Sequence, residues 1–353
     1  MNDITLSARA IGHRSITTIA LGFAAIVIAF FYPNILSAFS RIIDLLAQNN
    51  GEYGRGSLVM TAILLMSLIF FIPVLAFWSI HKINQEDGWK HPRALRRILH
   101  FVCASSPFYT MIVLGLFKAG LGQWQLYAWY LFTGVAGILL LYFSKKTTTQ
   151  SRLSQTEKEF GGNWRFSHGV AALILMLAFV IVHLFNHMLA LWSLDWQAAA
   201  MNFLRKWYRA AFIEPIILLL TAGLMVSGIK MTWHYTRRPS DFFRLLQTCA
   251  GVYLFMFFCS HISAVFLARM GGEDTDWVFA VGTNGLFHGF VMLFPYYALA
   301  SFLILLHASL GLRKILLDRN WVVQKANQIF YGLAFIGLIV SLIISLATTG
   351  IEL

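Results

Sequence analysis

Long apolar runs alternate with short polar connections along the chain, and they do so nine times: 17–38, 58–80, 98–117, 124–144, 168–192, 212–235, 245–268, 284–311 and 328–348. Crossing about 30 Å of hydrocarbon at about 1.5 Å per residue takes ~20 apolar residues, and each run is of that order. The runs are continuous and do not alternate residue by residue, which predicts helices and not the strands of a barrel. The expected fold is therefore all-α, a polytopic transmembrane bundle of about nine helices. The longest polar stretch, Lys145 to Arg165 with Thr147, Thr148, Thr149, Glu157 and Glu159, separates four helices from five. It divides the chain into a region 1–150 and a region 160–353.

Composition agrees with lipid as the main solvent. Apolar residues fill 58% of the 353 positions and charged residues 12%, about half the share in soluble proteins. The formal charge of +12 raises the question of nucleic acid, but its distribution answers it. With the N-terminus inside, 20 of the 27 Lys and Arg residues fall on the cytoplasmic side. Basic side chains resist translocation and face anionic lipid there. The expectation is N-in, C-out, in a membrane of the bacterial cytoplasmic kind, with lipid and not nucleic acid as partner. The first apolar run is longer than a signal h-region and reads as an uncleaved helix. Cys103, Cys249 and Cys259 lie inside predicted helices without a Cys-x-x-Cys pair, and read as small apolar residues.

Two connections stand out. Residues 195–209 place Trp196, Phe203, Leu204, Trp207 and Tyr208 beside Arg205, Lys206 and Arg209, which suits an outer interfacial helix. Residues 270–285 form an acidic, Gly-containing outer loop, read as a solvated connector in preference to a roof over a site. Glu214, beside Pro215 at the start of the sixth run, suits a helix N-terminus and needs no proton-carrying role.

The chemistry lies in the histidines. His13, His81, His91 and His100 fall near predicted helix ends and read as interfacial. His168, His183, His187, His234, His261, His288 and His307 occupy the second half, in helices otherwise nearly free of charge. Ionisable residues at depth face the bundle interior or a cofactor. His183 follows Arg165 by 18 residues and His261 follows Arg244 by 17, ~27 Å and ~26 Å along helices of the same direction. The two imidazoles are expected at one level, toward the outer face. Facing neutral imidazoles are what six-coordinate b-type haem iron needs, with no carboxylate or thiolate to favour another metal.

These residues resemble the cytochrome b membrane anchors of succinate dehydrogenases and fumarate reductases. The fifth run opens on Arg165 and His168 and closes on His183, Leu184 and Asn186, like that family's first helix. The Ala-rich 196–214 segment, Gln247 to Gly251 with His261, and His307 to Gly311 follow in the family's order. The resemblance covers about 160–350. It implies a five-helix domain linking quinone to a soluble flavoprotein–iron-sulfur pair, with His183 and His261 on one haem. A second haem would pair His307 with the second helix, where the matching position is Leu224. His168 and His234 are inner-side substitutes, so one haem b is expected and two remain open. His187 is expected to line a quinone pocket, to bond a propionate or to snorkel, and His288 to lie near the outer end.

The first half admits a register over the second that places Ile28, Leu114 and Leu139 under His183, His261 and His307. It therefore reads as a degenerate, ligand-less repeat. The functional expectation is electron exchange with the quinone pool, as an anchor subunit or as a redox-sensing domain with a signalling partner. No Walker motif, His-Glu-x-x-His or nucleophile–base arrangement points to a complete active site in this polypeptide. The alternative is a haem-free transporter or scaffold, which would be marked by discontinuous helices. Against it, only Pro73, Pro107 and, in the eighth run, Pro295 fall well inside predicted helices.

Overall fold

A computed structural model describes residues 2–48, 54–145 and 162–350, with side chains of the first helix from Ile16 onward. The boundary residues Thr147–Thr149, Glu157 and Glu159, and the His13 side chain, lie outside the described residues. Helices α1 to α6 are Asn2–Phe30, Tyr32–Gln48, Arg55–Gln85, Pro92–Cys103, Ser105–Lys118 and Gln125–Phe143. Helix α7 (Gly162–Leu175) passes through a π-helical turn, Met176–Val180, into α8 (Ile181–Leu189). Then come α9 (Leu194–Tyr208), α10 (Ile213–Tyr235), α11 (Phe242–Met270), α12 (Trp277–Val281), α13 (Leu293–Asp318) and α14 (Val323–Thr348).

Among the described residues, seven helices are long and apolar enough to cross a membrane, and nine spans result if each of two bent pairs is one. The protein is thus a polytopic helical bundle. The bends correct the expectation of unbroken helices: α1 and α2 meet at 56°, and α4 and α5 at 70°. Proline explains where they fall, because Pro33 and Pro107 sit in the first turn after each break, where a missing N–H is tolerated. Pro33 cannot donate to the carbonyl of Ala29 four residues earlier. The buried Trp129 indole N–H donates to that oxygen instead, at 2.7 Å.

The eighth span is also shifted. Residues 284–292 are apolar but not helical apart from one 3-10 turn, and α13 begins only at Leu293. Gly282, Gly285 and Gly289 hold positive φ angles of 78°, 82° and 155° that interrupt a helix. A Cβ on Gly285 would lie 2.3 Å from the Thr349 backbone. Pro295 therefore stands in a first turn and not mid-helix. Phe294 N donates to the Val291 carbonyl at 3.1 Å, which a residue with an N–H at 295 would otherwise have used.

The second half is a ring: α7–α8 packs on α10, α10 on α11, α11 on α13, α13 on α14, and α14 back on α8. The first half packs α1 on α3 and α6, and α4 on α3 and α6. Its centre is filled by large side chains such as Trp129, Tyr32, Leu99 and Leu140, all fully buried. It docks on the outside of the ring through α3, α4 and α5 against α11. Arg96, only 2% exposed, crosses that seam and donates to the carbonyls of Thr236 (3.0 Å) and Arg237 (2.9 Å) just past α10. A guanidinium there satisfies carbonyls at the negative end of a helix. In the proposed repeat register, Leu139 stands for His307 but is 38% exposed, so that helix presents a different face. His100 is buried, not interfacial; its Nδ1 is 2.6 Å from the Arg96 carbonyl oxygen.

Candidate functional site

The segment expected to lie along an interface is helical, as α9. Ser193 caps it, accepting from Trp196 N at 3.3 Å, while Trp196, Phe203 and Trp207 remain exposed and Arg205 pairs with Asp274 at 2.9 Å. The 270–285 loop is not the solvated connector that its composition suggested. Trp277 is buried, and its ring lies 5.6 Å from that of His187, so α12 roofs the end of the ring at which α8 finishes. The acidic composition masked this: Asp276 caps α12, accepting from Phe279 N at 2.8 Å, and turns Trp277 inward. Glu214, in the first turn of α10, pairs with Arg269 from the end of α11, Nη2 to Oε2 at 3.2 Å.

Beneath that roof, three histidines gather. The His183 and His261 rings lie 6.4 Å apart between centroids, at 66°. An iron held between two imidazole nitrogens about 2 Å away on each side puts ring centroids about 6 Å apart. Each ring is backed by a phenyl one turn earlier on its own helix: Phe179 on His183 at 5.0 Å and 17°, and Phe257 on His261 at 5.1 Å and 11°. The third imidazole, His187, has its Nε2 3.2 Å from that of His183. Ligation by His183 and His261 therefore asks the His183 ring to turn from His187 toward His261.

The π turn ends at Val180, three residues before His183. Such turns insert a residue into an α-helix and re-aim the side chains that follow, often at functional sites. No feature of the sequence marked it. Nor did the sequence mark a cavity of about 430 Å³ between α7–α8, α9 and α10. Its lining is apolar, including Leu175, Ile217 and Leu220, with His183 and Tyr208 as polar exceptions. That size and chemistry fall in the range of small-molecule sites, about 300–1,000 Å³.

A second pair lies nearer the other end of the ring. His168 and His307 have ring centroids 6.4 Å apart at 69°. His168 Nδ1 is 2.7 Å from Ser227 Oγ, and His307 Nδ1 is 3.0 Å from the Gln247 carbonyl oxygen. Leu224 is not the group that α10 brings to this level; Ser227, one turn on, is. His234 closes the last turn of α10 beside Tyr235 at 5.6 Å, at the helix end. His288 is exposed in the 3-10 turn.

Among the described residues, no group of three or more His, Cys, Asp or Glu side chains is placed to hold a metal ion. Two imidazoles alone are a poor site for a bare cation and a sufficient one for iron whose other four ligands come from a porphyrin. The donor set fits haem b. No family model matches the chain, and neither a curated protein nor a solved structure matches it.

Proposed function

We propose that the protein is a membrane b-type cytochrome that exchanges electrons with a lipid-soluble quinone. The observation that carries this reading is the His183–His261 pair, which meets at 6.4 Å from opposite helices of the ring. Bound haem would supply one-electron transfer at this level. The chain would supply two axial imidazoles, the phenyl faces of Phe179 and Phe257 that fix their planes, and an apolar wall. The cavity beside His183 suits an isoprenoid quinone, with Tyr208 and His183 as its polar contacts. His187 stands one turn beyond His183, under Trp277. Electrons would reach or leave the other end through a soluble partner of the flavoprotein–iron-sulfur kind.

The test is a reduced-minus-oxidised visible spectrum of the full chain purified in detergent, with His183→Ala and His261→Ala alongside. A b-type α-band that each substitution diminishes supports the reading. A colourless protein from cells supplied with haem refutes it.

The bends at α1–α2 and α4–α5 favour a second reading, a transporter, since broken helices line transport sites. The α4–α5 break is lined by Ser105, Ser106, Tyr32 and Tyr253, and Tyr32 donates to Ser106 Oγ at 2.9 Å. Binding of a small solute with no haem in the preparation would move the conclusion to that reading.

A further inference from the structure

We infer that His168 and His307 form a second haem site whose two ligands come from the first and fourth helices of the ring, with α10 contributing a hydrogen-bond acceptor in place of a ligand. The inference rests on the cytochrome reading and decides between His168 and His234, which the linear order of the histidines left open as partners of His307.

The tautomers carry the argument. The Gln247 carbonyl oxygen can only accept, so the 3.0 Å contact requires His307 to carry its proton on Nδ1. Ser227 Oγ lies 2.7 Å from the Gly223 carbonyl oxygen and 3.1 Å from that of Leu224, and its one proton is spent there. The 2.7 Å contact to His168 then has Nδ1–H of the imidazole donating to Ser227 Oγ. Both rings are thus fixed as the Nδ1–H form, and both Nε2 atoms keep a lone pair. Metal-bound histidines carry this arrangement, with the far nitrogen donating to a carbonyl or hydroxyl oxygen that orients the ring and raises its basicity.

The helices make room for these rings. Gln247 lies one turn before Gly251 on α11, and a Cβ on Gly251 would come 3.2 Å from Cε1 of His307. Any larger residue there would push the ring off the carbonyl. Gly228 plays the milder part for His168, whose Cε1 would lie 3.8 Å from an added Cβ.

Basic side chains surround this end of the ring. Arg244 is within electrostatic reach of His307 and donates to Gln247 Oε1 at 2.9 Å. Lys230 rests over Trp164 at 3.7 Å and Arg313 over Phe243 at 3.6 Å, while Arg165 reaches Asp318 at 3.0 Å. These are groups suited to two propionate carboxylates. His168 and His183 are 15 residues apart on one continuous span, roughly 22 Å of helix. The two sites therefore sit toward opposite faces of a hydrocarbon core about 30 Å thick.

The experiment is a pyridine haemochrome count per polypeptide, with spectra and redox titration, on the detergent-purified full chain. Two haems are expected in the parent protein. His168→Ala and His307→Ala should each remove one and the same haem, and His183→Ala the other. Ser227→Ala tests the acceptor. It should weaken haem retention at this site about 10- to 100-fold and raise the midpoint potential of that haem alone, and Ser227→Thr should restore both. A parent protein with one haem that survives His168→Ala and Ser227→Ala unchanged overturns this inference and leaves the cytochrome reading standing. A parent protein with none overturns both.

Discussion

Replacing Trp129 by Phe tests the account of the first broken span. The indole N–H donates to the Ala29 carbonyl at 2.7 Å; Trp129 is 0% exposed and Ala29 1%. Phe keeps an aromatic ring but leaves that carbonyl without its donor, in a place water does not reach. An orphaned buried carbonyl costs about 1–3 kcal/mol, and the lost part of the ring adds roughly 1–2 kcal/mol as cavity. The two contributions separate in a double-mutant cycle with Pro33→Ala. Alanine at 33 restores an N–H four residues after Ala29, so the carbonyl regains a backbone donor. Trp129→Phe should then cost less by about 1 kcal/mol or more. The assay is reversible unfolding in mixed micelles, followed by tryptophan-independent circular dichroism. Equal costs in both backgrounds, within about 0.5 kcal/mol, would refute the claim that Trp129 replaces the donor that Pro33 lacks.

Gly251→Ala should displace the His307 ring by a few tenths of an ångström and lower haem occupancy by about tenfold, since about 1.4 kcal/mol of lost ligand orientation corresponds to that factor. Gly223→Ala, with nothing within 4 Å of the added Cβ, should leave the count unchanged, and equal effects would remove Gly251 from the site. Gly285→Ala combines a positive φ of 82° with a 2.3 Å approach to Thr349. It should lower stability by at least the roughly 1–2 kcal/mol of the left-handed backbone alone, measured as a fall in the thermal midpoint in detergent. Arg96→Met removes two charge-assisted bonds to carbonyls at the seam between the halves. Each is of the order of 1.5–3 kcal/mol, so limited proteolysis of the 236–241 connection should accelerate; an unchanged rate would mean that the seam is held elsewhere. A periplasmic reporter at the C-terminus should be active and a cytosolic one inactive, as the distribution of basic residues requires; the reverse pattern would invert the assignment.

The apolar runs alone determined that this chain is a helical membrane protein and placed most of its spans. Burial in lipid makes helix formation nearly obligatory and leaves little for tertiary context to decide. Equal helical rise from Arg165 and Arg244 likewise sufficed to put His183 and His261 at one level, because rise depends only on residue count. Rotation and packing are a different matter. Whether His307 meets Leu224, His234 or His168 depends on the rotational setting of α7, α10 and α13 against one another, and that setting comes from contacts distant in sequence. The same holds for Ser227, whose hydroxyl matters only because His168 lies beside it, and for Gly251, whose missing side chain matters only because His307 does. Trp277 reads as part of an acidic connector until α8 and α14 supply the wall it packs on. The glycines before Leu293 were legible as residues but not as a break: an apolar run scores as a span whether or not its backbone is helical. Hydrophobicity is additive along the chain, and the pairing of side chains across the ring is not.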